Sequence, residues 1–193
     1  MFDEITASSL VKMDMDGNVL GRQGRHNAAG FTIHSGVYKA RPDANCVMHT
    51  HTRAGGGVSL MKKGIRPISQ DALHIYDDLV YHEYGVPASK EECEALGVSC
   101  QAGSHVILHN HGLLAVGDTI AGTLRKLYMM ERACEIELIS RQLGEEPIMI
   151  EDSIVERAAR RMKQVRAEPA YGVSYFKALK RQLEKLGKND WAR

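Results

Sequence analysis

The sequence predicts one α/β domain. Its 193 residues, 44% of them hydrophobic and 25% charged, suit a single globular domain that buries a core without disulfides. Short apolar runs at 45–51 and 105–116 are typical of buried strands. The long segment 118–143 has the apolar spacing of a helix instead. Strands and helices therefore alternate along one chain, which indicates the α/β class.

The N-terminal third contains a predicted hairpin, a helix and a strand. Residues 10–15 alternate between apolar and polar and lead into Asp-Gly at 16–17, a pair typical of tight turns. Residues 31–40 suit a short helix that stops before Pro42. Residues 45–51 are predicted to form a buried strand whose end carries histidines.

The middle of the chain shows two helix starts. Glycines at 55–57 lead into a helix-like stretch, 58–64. Ser89 and Glu92 are spaced as a capping box, with the serine at the N-cap and the glutamate at N3. We therefore expect a helix to begin at Ser89.

Two apolar strands, 105–109 and 112–116, are predicted next, followed by the helix over 118–143. Asp118 is the expected N-cap of that helix, and Gly144 is its expected C-terminal glycine.

The character of the chain changes after Pro147. Residues 151–166 and 173–187 are predicted to form charged, basic-rich helices. We therefore divide the chain into a domain, 1–146, and a C-terminal helical extension, 147–193. The extension is too small and polar for its own core, so we expect it to pack on the domain or on a neighbouring subunit.

Several partner classes are not expected. The net charge of +1 gives no reason to predict binding to nucleic acid or to an anionic membrane. Apolar runs stay well below the ~18 residues of a membrane span, and the N-terminus does not resemble a signal peptide. The cysteines form no Cys-x-x-Cys pair, so we expect reduced thiols in a cytoplasmic protein, at Cys46, Cys93, Cys100 and Cys134.

The histidines carry the strongest chemical signal. His49 and His51 are two residues apart, which places both imidazoles on one face of a strand. His111 interrupts two apolar runs, and Gly112 permits a tight turn beside it. Three histidines with an open position are typical of catalytic zinc, although imidazoles also suit Mn, Fe or Co. The alternative is that these are hydrogen-bonded histidines of the core.

Two longer motifs resemble the class II aldolase/adducin family. They are HSGVYKARPDANCVMHTHT and, about sixty residues later, HNHGLLAVGDT. The stretches EITASSLVKMDMDG and NAAGFTIHS are more similar to the adducin-related bacterial branch than to the sugar-phosphate aldolases. The resemblance covers about residues 2–143. It implies a three-layer α/β/α fold with a central, mostly antiparallel sheet, a homotetramer with sites at subunit interfaces, and His49, His51 and His111 as ligands of a divalent metal, zinc above all.

The sequence departs from the family pattern at three places. Gly30 stands where the aldolases carry a glutamate that serves as acid and base. Ala28 and Ala29 stand where two serines hold a substrate phosphate. The helix and strand that usually precede Phe2 are expected to be absent.

Another residue is needed if a proton is to be carried. His109, two residues before His111, is our predicted catalytic acid/base, because histidine titrates in the required range. The alternative for His109 is a hydrogen-bonded or surface histidine. His34 lies one helical turn from Gly30 and is a weaker candidate. Side chains that could reach a neighbouring site are Gln70, Tyr81, His82 and Tyr84.

Three functional hypotheses follow from the resemblance. The first is a metal-dependent lyase that cleaves or decarboxylates a small hydroxy-carbonyl or hydroxy-acid substrate through an enediolate. The second is a non-catalytic module for binding and oligomerisation, similar to the adducin head. The third is an Fe(II)-dependent oxygenase built on the same fold.

Overall fold

A four-stranded sheet forms the centre of the computed structural model, which describes residues 4–21, 24, 26–87, 89–188 and 191. Its strands lie in the order β1-β4-β3-β2, where β1 is Cys46–Thr50, β2 Leu79–His82, β3 His105–Leu108 and β4 Gly112–Gly117. The pairs β1/β4 and β3/β4 are antiparallel, and β2/β3 is parallel. The predicted α/β class with a mostly antiparallel sheet is confirmed.

Helices cover both faces of the sheet. They are α1 Ala28–Ala40, α2 Arg53–Ser59, α3 Gln70–Leu73, α4 Lys90–Gln101, α5 Ile120–Gln142, α6 Asp152–Arg166 and α7 Val173–Lys185. On β4, Leu113 and Ala115 face the helices α2, α3 and α5, whereas Leu114 and Val116 face α1 and α4. This alternation follows from the two-residue period of a strand. It gives the three layers that the family resemblance implied.

The N-terminal hairpin and the first helix are present with shifted bounds. The hairpin is a single bridge between Met13 and Val19, and Gly17 takes a positive φ of +90° at its turn. The helix predicted from residue 31 begins at Ala28. The reason is Asn27, whose side chain accepts a hydrogen bond from the Ala29 N–H and caps the helix earlier.

Other helix starts correct the sequence-based expectations. α5 is capped by Thr119 and not by Asp118, because the Thr119 side chain accepts from the Gly122 N–H. Gly144 follows the helix with φ +76°, as predicted. Ser89 accepts from the Glu92 N–H as expected. The second half of the predicted capping box is missing, because the Glu92 carboxylate instead pairs with His82.

The region of α2 differs most from the prediction. The glycine-rich stretch lies inside the helix, and most of 58–64 lies beyond its end. Gly55 is buried, and a Cβ there would collide with the Leu113 side chain of β4. A helix can therefore pack closely on the sheet only with glycine at this position.

The C-terminal helices pack on the domain through α3 and α5. Arg166 at the end of α6 donates to the His74 carbonyl at 2.7 Å and to the Asp77 carboxylate at 2.6 Å. The boundary between 146 and 147 stays a prediction. Within the described ranges, no helix combines the length and apolar character needed to cross a membrane.

Candidate metal centre

The three histidines meet at one end of the sheet. His49 lies in β1 opposite Leu114 of β4, and His51 follows the last residue of β1. His111 lies in the turn between β3 and β4. Asn110 in that turn has a positive φ of 58°, and the His111 N–H donates to the Leu108 carbonyl. The antiparallel register therefore brings histidines from both segments to the same edge.

The three imidazoles are mutually close. Their candidate ligand nitrogens all lie within 4.8 Å of one another, and the Nε2 atoms of His49 and His51 are 2.8 Å apart. Ring centroids are 4.7–4.8 Å apart for every pair. A tetrahedral zinc with bonds of ~2.0–2.1 Å holds its ligand nitrogens about 3.4 Å apart, so this set fits a cation with small side-chain movements.

His49 presents a defined nitrogen to the centre. Its Nδ1 lies 2.9 Å from the Leu113 carbonyl oxygen, which can only accept, so Nδ1 carries the hydrogen. Burial above all lowers the pKa of His49 to about 4; the hydrogen bond to the Leu113 carbonyl opposes this shift, and the neighbouring His111 and His51 add to it. The ring is then neutral at pH 7 and Nε2 offers its lone pair, the form that binds metals.

A cavity of about 780 Å³ opens beside the triad. Gly30 and Ala29 line it, together with Thr52. A Cβ at Gly30 would meet nothing nearer than the Asn27 Cβ at 3.8 Å, so the missing side chain leaves open space. Among the described residues, the cluster of mutually close ligand atoms consists of imidazoles and contains no carboxylate.

His109 lies apart from the triad. The turn at Asn110 separates it from His111. Its Nδ1 lies 3.1 Å from the Ser59 carbonyl oxygen, and its ring stacks on Tyr81 at 5.5 Å. His34 packs near Tyr38 and lines an adjoining cavity that shares Gly30 with the first.

Of the other side chains that the sequence suggested for a neighbouring site, Tyr84 lies beside the triad, and His82 and Gln70 lie elsewhere. Tyr84 lies edge-on to His111, with 6.4 Å between ring centroids. His82 is buried and bonds Ser99 and Glu92. Gln70 is the exposed first residue of α3.

Sequence reasoning missed one polar pair at this site. The Thr52 hydroxyl donates to the carboxylate of Glu131, which lies on α5. A signal was present, because Glu131 lies at helical spacing from the apolar residues Leu127, Cys134 and Leu138. A charged residue there requires a partner.

Curated relatives are similar over most of the chain. An aldolase class 2 protein of Pseudomonas aeruginosa is 44% identical over 160 residues, which is 82% of this chain and 62% of that protein. Alpha-adducin of Mus musculus is 37% identical over 202 residues, covering 97% of this chain and 27% of adducin. The chain therefore spans about three fifths of the bacterial relative and a smaller part of adducin.

Solved structures of aldolase-type proteins are also similar to this chain. An aldolase II superfamily protein from Pseudomonas syringae matches with a TM-score of 0.91 and 35% identity, over 99% of this chain and 77% of that one. The L-fuculose 1-phosphate aldolase of Glaciozyma antarctica matches with 0.80 and 26% identity, over 98% and 73%. The family model for the class II aldolase and adducin N-terminal domain matches residues 1–138. The chain thus belongs to the class II aldolase and adducin N-terminal domain family.

Proposed function

We propose that this protein is a metal-dependent lyase that acts on a small hydroxy-carbonyl or hydroxy-acid substrate by carbon–carbon cleavage or decarboxylation. The observation that carries the proposal is the cluster of His49, His51 and His111 at the edge of an open cavity. Three imidazoles beside open space suit a cation that keeps a position for substrate. Zinc is the proposed metal.

The chain's own residues would bind and orient the substrate. A divalent cation supplies Lewis-acid polarisation of substrate oxygens when bound. The Thr52 side chain and the face of Ile33 line the cavity in which the substrate would lie. Any proton carried by His109 would move at Nε2, because the Ser59 carbonyl holds Nδ1.

Assembly and location belong to the same proposal. A homotetramer is supported by large apolar side chains left on the subunit surface, such as Ile148 with 92% exposure and Leu143 with 64%. A cytoplasmic location is supported by the free thiols of all four cysteines.

We expect the wild-type protein, purified without chelator, to hold about one divalent ion per chain, because the three imidazoles together would bind one ion. His49→Ala and His111→Ala should each lose most of that ion, measured by elemental analysis. His74→Ala, which removes a half-buried histidine of α3's C-terminus, is the matched control and should keep it. A metal-free wild type would end the proposal.

The reaction is tested by screening hydroxy acids, aldehydes and sugar phosphates for turnover. Turnover that disappears with chelator and in His49→Ala supports the lyase. The adducin relatives favour a second candidate, a binding and oligomerisation module. A metal-loaded tetramer without turnover in the whole screen would support that module. Oxygen uptake with added Fe(II) would instead support an oxygenase.

A further inference from the structure

The turn that follows His51 is held in an unusual way. Thr52 occupies the N-cap position of α2 with an extended backbone, φ −75° and ψ 162°. A threonine at an N-cap usually accepts a hydrogen bond from the first turn of its own helix. Thr52 makes no such bond. Its hydroxyl donates to the carboxylate of Glu131 on α5.

Glu131 takes over the capping of α2. The same oxygen, Oε2, also accepts a hydrogen bond from the Gly55 N–H at 3.2 Å. Gly55 is buried and lies against Leu113 of β4. One carboxylate oxygen thus joins α5, the first turn of α2 and the residue after a proposed metal ligand.

His51 depends on this support more than His49 does. The His49 ring is anchored by the Leu113 carbonyl. The His51 ring is exposed, and its hydrogen bond runs to another proposed ligand, His49, and not to a fixed backbone acceptor. Its direction is therefore set by the backbone of the turn. That backbone is the part held by Thr52.

We propose that Glu131 is a positioning residue of the metal centre, which fixes the His51 imidazole through the Thr52 hydroxyl and the first turn of α2. The inference rests on the proposed function, since it assigns a support to the same site. Glu131 lies outside the group of close ligand atoms, so it acts through Thr52 and not by ligating. Groups that orient ligands in this way contribute strongly to metal affinity.

The first test measures the zinc affinity of chelator-treated protein by competition with a chromophoric chelator. Glu131→Ala should bind zinc about 10–100-fold more weakly than wild type, the usual effect of losing an orienting group. Glu131→Gln keeps an oxygen that can accept both hydrogen bonds, so it should recover most of the affinity. The control is Glu135→Ala, one turn along α5, whose side chain is 42% exposed and paired with Arg132. Its zinc affinity should match that of wild type.

The second test asks whether Glu131 acts through Thr52. Thr52→Val removes the hydroxyl and keeps the shape, so it should weaken zinc binding about 10-fold. The double variant with Glu131→Ala should bind no more weakly than Glu131→Ala alone, because both changes break one connection. Losses that multiply would overturn the inference. If Glu131→Ala does not fold, the zinc affinities of Thr52→Val and Glu131→Gln still test the inference.

The third test needs no metal. In metal-free protein, the imidazole ¹⁵N and ¹H signals of His51 should shift in Glu131→Ala and Thr52→Val and stay in place in Glu135→Ala. Unmoved His51 signals would overturn the inference. If wild type takes up no zinc, the proposed function fails while these signals still decide the role of Glu131.

Discussion

His105 shows how burial sets the chemistry of a single residue away from the candidate site. It is fully buried at the start of β3, and its Nδ1 lies 3.0 Å from the Asp78 carboxylate. Burial lowers the pKa of His105, and the hydrogen bond to Asp78 opposes this only in part. The ring is therefore a neutral donor to an ionised carboxylate.

Acid should destabilise the protein through this residue. The unfolded chain binds a proton at His105 below its ordinary pKa of about 6.5, whereas the folded chain resists it, so stability is present above pH 6.5 and is lost as the pH falls below it. The free energy of unfolding in chelator, measured with urea from pH 7.5 to 5.5, should therefore fall.

His105→Asn should make that slope shallower by up to about 1.4 kcal/mol per pH unit, the limit for one proton. The control, His26→Asn, replaces an exposed imidazole and should leave the slope of wild type. Identical slopes for His105→Asn and wild type would contradict this account.

The turn between β3 and β4 shows how an element places a ligand. Gly112 begins β4, and a Cβ there would collide with the Thr50 carbonyl of β1 and lie 3.3 Å from the His51 ring. The absence of a side chain therefore allows β1 and β4 to meet beside the triad.

Gly112→Ala should destabilise the fold by about 1–3 kcal/mol, the usual cost of overpacking, and should weaken zinc binding as well. The matched control is Gly56→Ala in α2, where an added Cβ meets nothing within 4 Å. Urea unfolding without metal and a zinc titration give both quantities. Equal stability in the two variants would show that β1 and β4 can separate enough to accommodate the added methyl group, which would contradict this prediction.

The elements that sequence patterns predicted are those with long or strictly periodic signals. α5 and the two central strands follow from apolar spacing, and the triad was predicted from the two-residue spacing of His49 and His51 together with the His111 motif of the family resemblance. β2 was missed because its four residues, LVYH, mix polar and apolar and depend on a distant partner, β3. Glu131 was missed for the same reason, since 79 residues separate it from Thr52.

At the scale of the whole molecule, polar contacts help to join the C-terminal helices to the domain. Arg166 makes two of them, and its side chain is only 8% exposed between the Asp77 and Asp78 carboxylates. Tyr175 of α7 adds a ring contact to Tyr128 of α5 at 4.7 Å. The extension therefore packs on the domain that carries the triad.

Arg166→Ala should loosen this packing. It leaves two carboxylates without their cation, which costs up to about 3–5 kcal/mol when the pair is buried. We expect faster proteolytic cleavage between 147 and 172. The control, Arg160→Ala, removes an exposed guanidinium 3.9 Å from Glu156 and should cleave as wild type does. Unchanged cleavage in Arg166→Ala would show that apolar contacts alone hold the extension.

The pairing of β1 with β4 makes the candidate site a property of the folded chain alone. His51 and His111 are brought together across a long loop, and the unfolded chain would pay the entropy of closing that loop before it could offer the same three nitrogens. A cation that binds only the folded chain stabilises it by mass action. The free energy of unfolding rises by about 2.7 kcal/mol when the free cation concentration is a hundred times the dissociation constant. The concentration of free metal would then affect how much of the protein is unfolded and how fast it is degraded by proteases.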